Sequence, residues 1–365
     1  MGAVAMYSDN QLFFLLSGLF FLALVFTLLV NSVFMRFFRT FGIRENAPSM
    51  VRWNASSKPA FGGIGFFIVF LFAFSAYGVL FPKESDPFQP ELVGLLAATG
   101  LGFLMGLADD AYNTRPLLKF LTQVVCGVLL LATGTSIQIF HIPLVDHTLT
   151  ILWVVGMMNA INMLDNMDAI TSVVSLAIFI AALLSQLLTG AAADVNSVII
   201  IAVCGAIGGF LFFNWHPSRM YMGDTGSQFL GVLLAYIGIR YFWNGTSLTG
   251  AIEPWRQISI TLVIFILPLA DTTTVSINRM LRGTSPFVGG KDHTTHYLSY
   301  VGLTDSQVAM VFGGLGLMSC FLGFIALRFI PVWQPFHSIL YLGYALVIFI
   351  FLFSLTKRSG IERPL

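Results

Sequence analysis

The stretch LVGLLAATGLGFLMGLADDAYN, residues 92–113, runs from Leu92 to Leu107 without a charged residue and then presents two adjacent acids, Asp109 and Asp110. An uncharged run of this length is typical of a helix that crosses a membrane. Two ionised carboxylates side by side repel each other unless a cation lies close by. The stretch therefore predicts a membrane helix that ends at a charged functional site.

The composition of the whole chain supports a membrane protein. The 365 residues are 57% hydrophobic and 10% charged, with a mean hydropathy of +0.86, whereas a soluble domain carries about 25% charged residues. We therefore predict a single integral-membrane domain over residues 1–365, embedded in the lipid bilayer. The net charge of +1 gives no indication of a nucleic-acid partner.

Apolar runs divide the chain into candidate membrane spans. A spanning helix needs about 20 predominantly apolar residues. On that basis we predict an all-α, polytopic fold with about eleven transmembrane helices, at residues 11–35, 60–82, 91–108, 117–134, 148–165, 168–189, 196–213, 225–243, 257–275, 307–330 and 336–356.

The distribution of basic residues orients these spans. The first apolar run, Gln11 to Val33, follows Asp9 and precedes Arg36 and Arg39, which predicts an uncleaved helix with its N-terminus outside. That orientation places the C-terminus and 14 of the 18 basic residues on the cytoplasmic side of the inner membrane. The polar clusters fall on the same side, in the predicted site loops 36–59, 109–117, 159–169, 214–227 and 276–305.

The fifth span carries a polar stripe at its cytoplasmic end. Asn159, Asn162 and Asp165 are spaced i, i+3, i+6 and therefore line one face of a helix. An Asp that faced lipid near the centre of a span would cost about 2.5–3.5 kcal/mol, so the stripe should face the bundle or its mouth. The alternative is that these side chains only hydrogen-bond neighbouring helices together.

Asp224 opens the eighth span between two glycines, in the segment YMGDTGS (221–227). Glycine permits close approach of a ligand, and free N–H groups at the start of a helix attract anions. The alternative is an ordinary helix cap.

Two cationic segments face the same side. Lys58 precedes a Gly-Gly pair and suits either a phosphate contact or a simple positive-inside lysine. Arg282, Lys291, His293 and His296 can clamp phosphate oxygens, although a solvated basic loop explains them equally well. A zinc-protease site is excluded, because the glutamate of an HExxH motif is absent and no cysteine lies near.

The clusters together favour one chemistry. Five acids (Asp109, Asp110, Asp165, Asp168 and Asp224) share one membrane face with the cationic loop. Oxygen ligands without thiolates favour Mg²⁺, with Mn²⁺ as the second choice. A divalent metal with Arg, Lys and His suits transfer of a phosphoryl-linked group. A secondary transporter is the alternative class, but transporters place their acids near the midplane of repeated halves, and no repeat is visible.

These motifs resemble the polyprenyl-phosphate N-acetylhexosamine-1-phosphate transferases, glycosyltransferase family 4. Asp109–Asn113 is similar to the family's DDxx(D/N) motif, Asn159–Asp168 to NxxNxxDGxDG, and Tyr221–Ser227 to (F/Y)MGDxGS. Residues 282–287 with 292–296 resemble the histidine loop. The resemblance implies transfer of HexNAc-1-phosphate from a UDP-amino sugar to undecaprenyl phosphate, with release of UMP. Relatives also suggest a homodimer.

The resemblance also implies a role for each matching residue. The expected catalytic residues are Asp109, Asp110, Asp165, His293 and His296. The expected metal ligands are Asp224, Asp110, Asn162 and Asp165. The expected substrate-binding residues are Lys58, Asn113, Lys119, Asn159, Asn162, Asp168, Tyr221 and Arg282.

The sequence departs from the family pattern at two places. Asn166 and Ala169 stand where glycines are usual, and the histidine loop reads DHTTH instead of the HxHH run of the muramoyl-pentapeptide branch. The second departure favours a lipid-linked surface or secreted glycan as the product. The phospho-N-acetylmuramoyl-pentapeptide transferase of peptidoglycan synthesis is the alternative enzyme.

Overall fold

The computed structural model describes residues 7–41, 58–81, 89–189, 194–245, 253–286 and 289–357, and these are helical with no strand. The predicted all-α fold is confirmed. Most of the predicted loop 36–59, and Phe287 of the histidine loop, lie outside the described residues. The helices are α1 (Asp9–Phe41), α2 (Gly62–Leu80), α3 (Pro90–Tyr112), α4 (Pro116–Ala132), α5 (Pro143–Leu164), α6 (Ile170–Thr189), α7 (Val195–Asn214), α8 (Gly223–Gly238), α9 (Pro254–Ile264), α10 (Ile266–Leu281), α11 (Thr294–Tyr300), α12 (Asp305–Phe329) and α13 (Pro335–Leu355).

Proline defines where many of these helices begin. Its ring fixes φ near the helical value, and its missing N–H costs nothing in the first turn. Five helices have proline as their first residue: Pro90, Pro116, Pro143, Pro254 and Pro335.

Each of the eleven predicted spans coincides with a helix or a helix pair. Among the described residues, eight helices are long and apolar enough to cross a membrane, and the bent pair α9–α10 makes a ninth. The other two predicted spans are α4, with 17 residues, and α8, which continues into a π-helical segment, Ile239–Trp243. The protein is therefore a multi-pass membrane protein, whereas the count of eleven and the orientation of the termini stay predictions.

The predicted ninth span is two helices in the structure. α9 and α10 meet at Phe265 with a bend of 77°. Pro268 explains the break, because it has no N–H to donate to the carbonyl of Ile264 four residues earlier. The predicted loop 276–305 is likewise shorter than expected, since α10 continues to Leu281 and α11 lies within the remainder.

α8 is the central helix of the bundle. All its residues from Thr225 to Gly238 are buried, and from Phe229 onward they are apolar, as expected of a helix that is enclosed on every side. The outer surface of α1 instead exposes large apolar side chains such as Phe13, Phe14 and Phe21, as expected of a helix that faces lipid. The amino end of α8 therefore lies inside a ring of other helices, and this is where the polar residues collect.

Candidate active site

Asp109 lies at the carboxyl end of α3 and is held by the turn that follows. Asn113 ends the helix in the left-handed region (φ 51°) and donates its N–H to the Asp109 carbonyl at 2.8 Å. Thr114 then donates its backbone N–H to Asp109 Oδ1 at 2.9 Å, and its hydroxyl donates to the same oxygen. Asn113 was predicted to bind substrate. In the structure it forms the turn that ends α3, and its role in substrate binding stays a prediction.

Asp110 caps the amino end of α8. It accepts the backbone N–H groups of Asp224 and Thr225, each at 2.9 Å, and the Thr225 hydroxyl at 2.6 Å. A Cβ on Gly223 would lie 2.6 Å from Asp110 Oδ2, and its φ of +75° also requires glycine. The expectation that the first N–H groups of this helix are free for a ligand is therefore wrong for Asp224 and Thr225.

Lys119, from the first turn of α4, joins an acid of α3 and an acid of α8 to an asparagine of α5. Its ammonium lies 2.5 Å from Asp224 Oδ2, 3.2 Å from Asp109 Oδ2 and 3.2 Å from Asn162 Oδ1. Asn162 completes the group by donating to Asp224 Oδ1 at 2.7 Å and to the Ser227 hydroxyl at 2.9 Å. We call Asp109, Lys119, Asn162 and Asp224 the acid–lysine cluster.

The donor set of this cluster fits a divalent cation. Two carboxylates and one amide oxygen already converge on a positive charge, and such hard oxygen ligands are those that Mg²⁺ prefers. Asp224 and Asn162 were predicted ligands, and both contribute oxygens here. Asp110, another predicted ligand, uses both oxygens on α8.

Asp165 follows α5 directly and lies near the same acids. Desolvation, and then the charge of Asp224, raises the pKa of Asp165 to about 7. A cation bound among these carboxylates would lower that pKa again.

A second group of possible metal ligands was not predicted. Among the described residues, Asp168, His216 and Asp305 are the one set of three acidic, His or Cys side chains with ligand atoms within 4.8 Å of one another. His216 Nδ1 lies 2.9 Å from Asp168 Oδ2 and 3.4 Å from Asp305 Oδ2. Asp168 also accepts the N–H of Ser218 at 3.0 Å and its hydroxyl at 2.7 Å, so its oxygens are engaged within the protein.

Lys58 and Tyr221 belong to one structural unit. The Lys58 ammonium lies 5.0 Å from the centre of the Tyr221 ring and donates to the Ser218 hydroxyl at 2.9 Å. The backbones also pair, since Tyr221 N–H donates to Pro59 and Gly62 N–H donates to Tyr221. This unit links the start of α2 to the loop before α8, adjacent to Asp168.

Asn159 is engaged between helices. Its amide donates to Gln123 at 2.7 Å and to the Val155 carbonyl at 2.9 Å, and Gln123 also donates to Gln228. The stripe of Asn159 and Asn162 therefore faces the bundle as expected. Asn159 has the hydrogen-bonding role that was the alternative for this stripe, and its predicted role in substrate binding stays untested.

The histidine loop folds back onto the loop that carries Asp165 and Asp168. The Thr295 hydroxyl, in α11, donates to Asn166 Oδ1 at 2.5 Å. The rings of His293 and His296 are 5.7 Å apart. Burial, and then the charge of His293, lowers the pKa of His296 to about 4, so His296 is neutral at pH 7.

Arg279 fixes the entry to this loop. It forms a two-pronged ion pair with Asp292, with N–O distances of 2.6 and 3.0 Å, and donates to the Pro286 carbonyl at 2.8 Å. Burial opposes ionisation of Asp292, but the hydrogen bonds and charge of Arg279 outweigh it and lower the pKa. Arg282, the predicted clamp residue, lies 3.7 Å from Asp292 and 3.5 Å from the Tyr297 hydroxyl.

Sequence reasoning missed three residues that shape this region: Asp271, Arg279 and Gln123. Asp271 was detectable, because it is an acid inside a predicted span, and such residues are usually functional. Arg279 was predicted only to be one of the basic residues on the cytoplasmic side of the membrane. Gln123 lies in the predicted span 117–134, where nothing distinguished it from an interhelical contact.

Residues 92–242 match the model of the family described as glycosyl transferase family 4. The predicted resemblance to this family is therefore confirmed.

Three relatives illustrate the similarity. The probable undecaprenyl-phosphate N-acetylglucosaminyl 1-phosphate transferase of Bacillus subtilis is 25% identical, over 90% of this chain and 88% of its own length. The phospho-N-acetylmuramoyl-pentapeptide-transferase of Staphylococcus saprophyticus is 26% identical, over 77% of this chain and 88% of its own length. The decaprenyl-phosphate N-acetylglucosaminephosphotransferase of Mycolicibacterium smegmatis is 26% identical, over 60% of this chain and 59% of its own length.

Proposed function

We propose that this protein transfers an N-acetylhexosamine-1-phosphate group from a UDP-sugar to undecaprenyl phosphate and releases UMP. Of the UDP-sugars, we propose UDP-GlcNAc or a related amino sugar. The reaction would be the first membrane step in synthesis of a lipid-linked glycan, and the names of the Bacillus and Mycolicibacterium relatives support it.

The observation that carries the proposal is the acid–lysine cluster beside the histidine loop. Bringing a lipid phosphate onto a nucleotide diphosphate joins two anions, so catalysis depends on positive charge and positioning. Lys119 supplies one charge at the centre of the cluster. Arg282, His293 and Lys58 would meet the diphosphate and nucleotide from the surrounding loops.

Asp224, Asn162 and Asp109 would hold Mg²⁺, because their oxygens already converge on a cation. The chemistry supplied by the bound ion is neutralisation of phosphate charge. A strong general base is not required, since a phosphate monoester has a second pKa of about 6 and is mostly dianionic at neutral pH. Asp109, which is paired with Lys119, would then position charge and would not abstract a proton.

The alternative function is the phospho-N-acetylmuramoyl-pentapeptide transferase reaction. The Staphylococcus relative favours it, and it uses the same lipid acceptor with a larger nucleotide sugar. The DHTTH form of the histidine loop is the reason to prefer the smaller amino sugar.

One experiment separates these functions. Purified protein in nanodiscs would receive undecaprenyl phosphate, Mg²⁺ and one nucleotide sugar: UDP-GlcNAc, UDP-GalNAc or UDP-MurNAc-pentapeptide. We expect UMP release with an amino sugar and its loss in EDTA. Because one phosphoanhydride is exchanged for another, the lipid product and UMP should regenerate the nucleotide sugar. Release of UMP from the pentapeptide substrate alone would establish the alternative, and no release from any of the three would refute both.

We also propose that the acid–lysine cluster faces the cytoplasm from the inner membrane, on the basis of the basic-residue distribution. A cysteine placed at Tyr112, which is 84% exposed near the cluster, should react with a membrane-impermeant maleimide in inside-out vesicles. Labelling in intact cells, and not in inside-out vesicles, would show that the topology is the reverse of the proposed one.

A further inference from the structure

Asp271 is an acid that the proposed function does not yet use. It lies on α10 and is fully buried, at 0% exposure. A buried carboxylate in a membrane protein is costly unless charge and hydrogen bonds compensate it. The groups that compensate the buried carboxylate of Asp271 therefore indicate its role.

Both carboxylate oxygens of Asp271 are bound by the start of the histidine loop. Oδ1 accepts the backbone N–H of Thr294 at 2.8 Å and the Thr294 hydroxyl at 2.7 Å. Oδ2 lies 2.8 Å from His293 Nδ1. The first of these contacts caps α11, whose own cap residue, His293, makes no capping hydrogen bond.

The contact between Asp271 Oδ2 and His293 Nδ1 determines where the histidine ring carries a proton. An ionised carboxylate only accepts hydrogen bonds, so His293 Nδ1 must carry a proton. The bond fixes the ring plane and leaves Nε2 as the nitrogen for any further partner. His293 is itself 6% exposed, so burial also restricts the ring to few orientations.

The pair is held next to the acid-bearing loop. Thr295, two residues beyond His293, donates to Asn166, which lies between Asp165 and Asp168. The start of α11 is thus attached to α10 on one side and to the α5–α6 loop on the other. A histidine held in this way is suited to meet a phosphate oxygen at a defined place.

We propose that Asp271 is a positioning residue that accepts a hydrogen bond from His293 Nδ1, so that the ring can carry a second proton on Nε2 and donate a hydrogen bond from there to a phosphate oxygen of the substrate. The inference rests on the proposed function, because it assumes that His293 meets substrate. Asp271 itself contacts no substrate and acts only through His293.

The decisive variant is Asp271→Asn. The amide keeps the shape, and its oxygen can still accept both Thr294 contacts. Its NH₂ group would face His293 Nδ1, so the ring must accept there and cannot carry the second proton. The contact with phosphate would then lose its positive charge, and loss of one charge-stabilising donor can cost about 10²–10³ in turnover. We expect a fall in kcat on the order of 10²–10³, with KM changed less than about threefold.

Two further variants separate positioning from folding. Thr294→Val removes one hydrogen bond to the same carboxylate without touching His293, and it should keep kcat within about threefold of wild type. In a double-mutant cycle, Asp271→Asn should have no further effect on a His293→Ala protein. Equal damage from Thr294→Val and Asp271→Asn, or additive losses in the cycle, would overturn the proposal.

The tautomer can be observed without turnover. Nitrogen-15 NMR of histidine-labelled protein should show a proton on His293 Nδ1 in wild type and none on Nδ1 in Asp271→Asn, with His293→Ala assigning the signal. A wild-type signal with no proton on Nδ1 would refute the positioning role even in an active enzyme. If no nucleotide sugar gives UMP, the proposed function fails, while the NMR result still tests the pair.

Discussion

Gly106 is one turn before the acid pair of α3, and it packs directly on the backbone of α8. A Cβ built on Gly106 would lie 2.2 Å from the Asp224 carbonyl oxygen and 2.6 Å from Thr225 Cα. Ordinary van der Waals contact begins at 3.4 Å. The substitution Gly106→Ala must therefore separate α3 from α8 by about 1.2 Å, since backbone atoms cannot rotate away.

This displacement would act directly on the cluster. The hydrogen bonds from the start of α8 to Asp110 are 2.9 Å long, and stretching them by about 1.2 Å takes them beyond hydrogen-bonding distance. A misplacement of about 1 Å can cost about 100-fold in rate, or about 2.7 kcal/mol in activation free energy. We expect Gly106→Ala to lose about 100-fold in kcat and about 1–3 kcal/mol in stability from overpacking.

Gly100→Ala is the matched control, because it makes the same change on the same helix. Its Cβ would meet only Phe67 Cζ, at 3.8 Å, so it should stay active and gain slightly in helix stability. UMP release and thermal unfolding in detergent would be measured for both proteins. A folded Gly106→Ala protein with turnover within threefold of Gly100→Ala would refute the reasoning.

Three further predictions concern charge. Lys119→Met should lower kcat at least about 100-fold, because it removes a positive charge that offsets the charge of the phosphates; kcat above a tenth of wild type would contradict this. The raised pKa of Asp165, about 7 against 3.8, means that the native state holds this proton while the unfolded state releases it. Stability in EDTA should therefore fall as pH rises from about 4 to 7. Asp165→Asn should remove that part of the slope in melting curves, and an unchanged slope would be contrary evidence. Arg279→Lys loses the two-pronged contact with Asp292 and should cost about tenfold in kcat, whereas the exposed Arg219→Lys should cost little; equal effects would exclude a role for the ion pair.

The fold was largely predictable because its signal is local. Apolar runs of about 20 residues locate helices directly, and every predicted span coincides with a helix or a helix pair. The bend at Phe265 shows the limit of this approach. Pro268 signals a break in the sequence, but hydropathy averaged over the span 257–275 does not show it.

The sequence predicted which residues belong to the site better than it predicted which of them contact one another. Asp109, Asp110 and Asp224 were identified by their positions at span ends, and the structure brings them together. The sequence did not indicate that Asp110 binds the start of α8 or that Lys119 bridges two acids. Those pairings depend on which helices pack side by side, which spacing along the chain does not determine.

Asp271 and Arg279 illustrate the same limit for buried charges. Each has its partner in the histidine loop, 22 and 13 residues further along the chain. Such a partner is found only when the loop has folded back on its helix. An intramembrane acid can be noted from sequence, but its role requires the packed structure.

The Lys119 ammonium contacts the same oxygen atoms of Asp109, Asn162 and Asp224 that would hold the proposed metal ion. The chain itself therefore supplies one positive charge against the two carboxylates of Asp109 and Asp224, so the helix packing does not depend on an added ion alone. Withdrawing magnesium should leave an intact, dormant protein that resumes turnover when the ion returns. Since Lys119 must yield its place to the ion, the ion should bind weakly and exchange readily, so turnover should follow its free concentration.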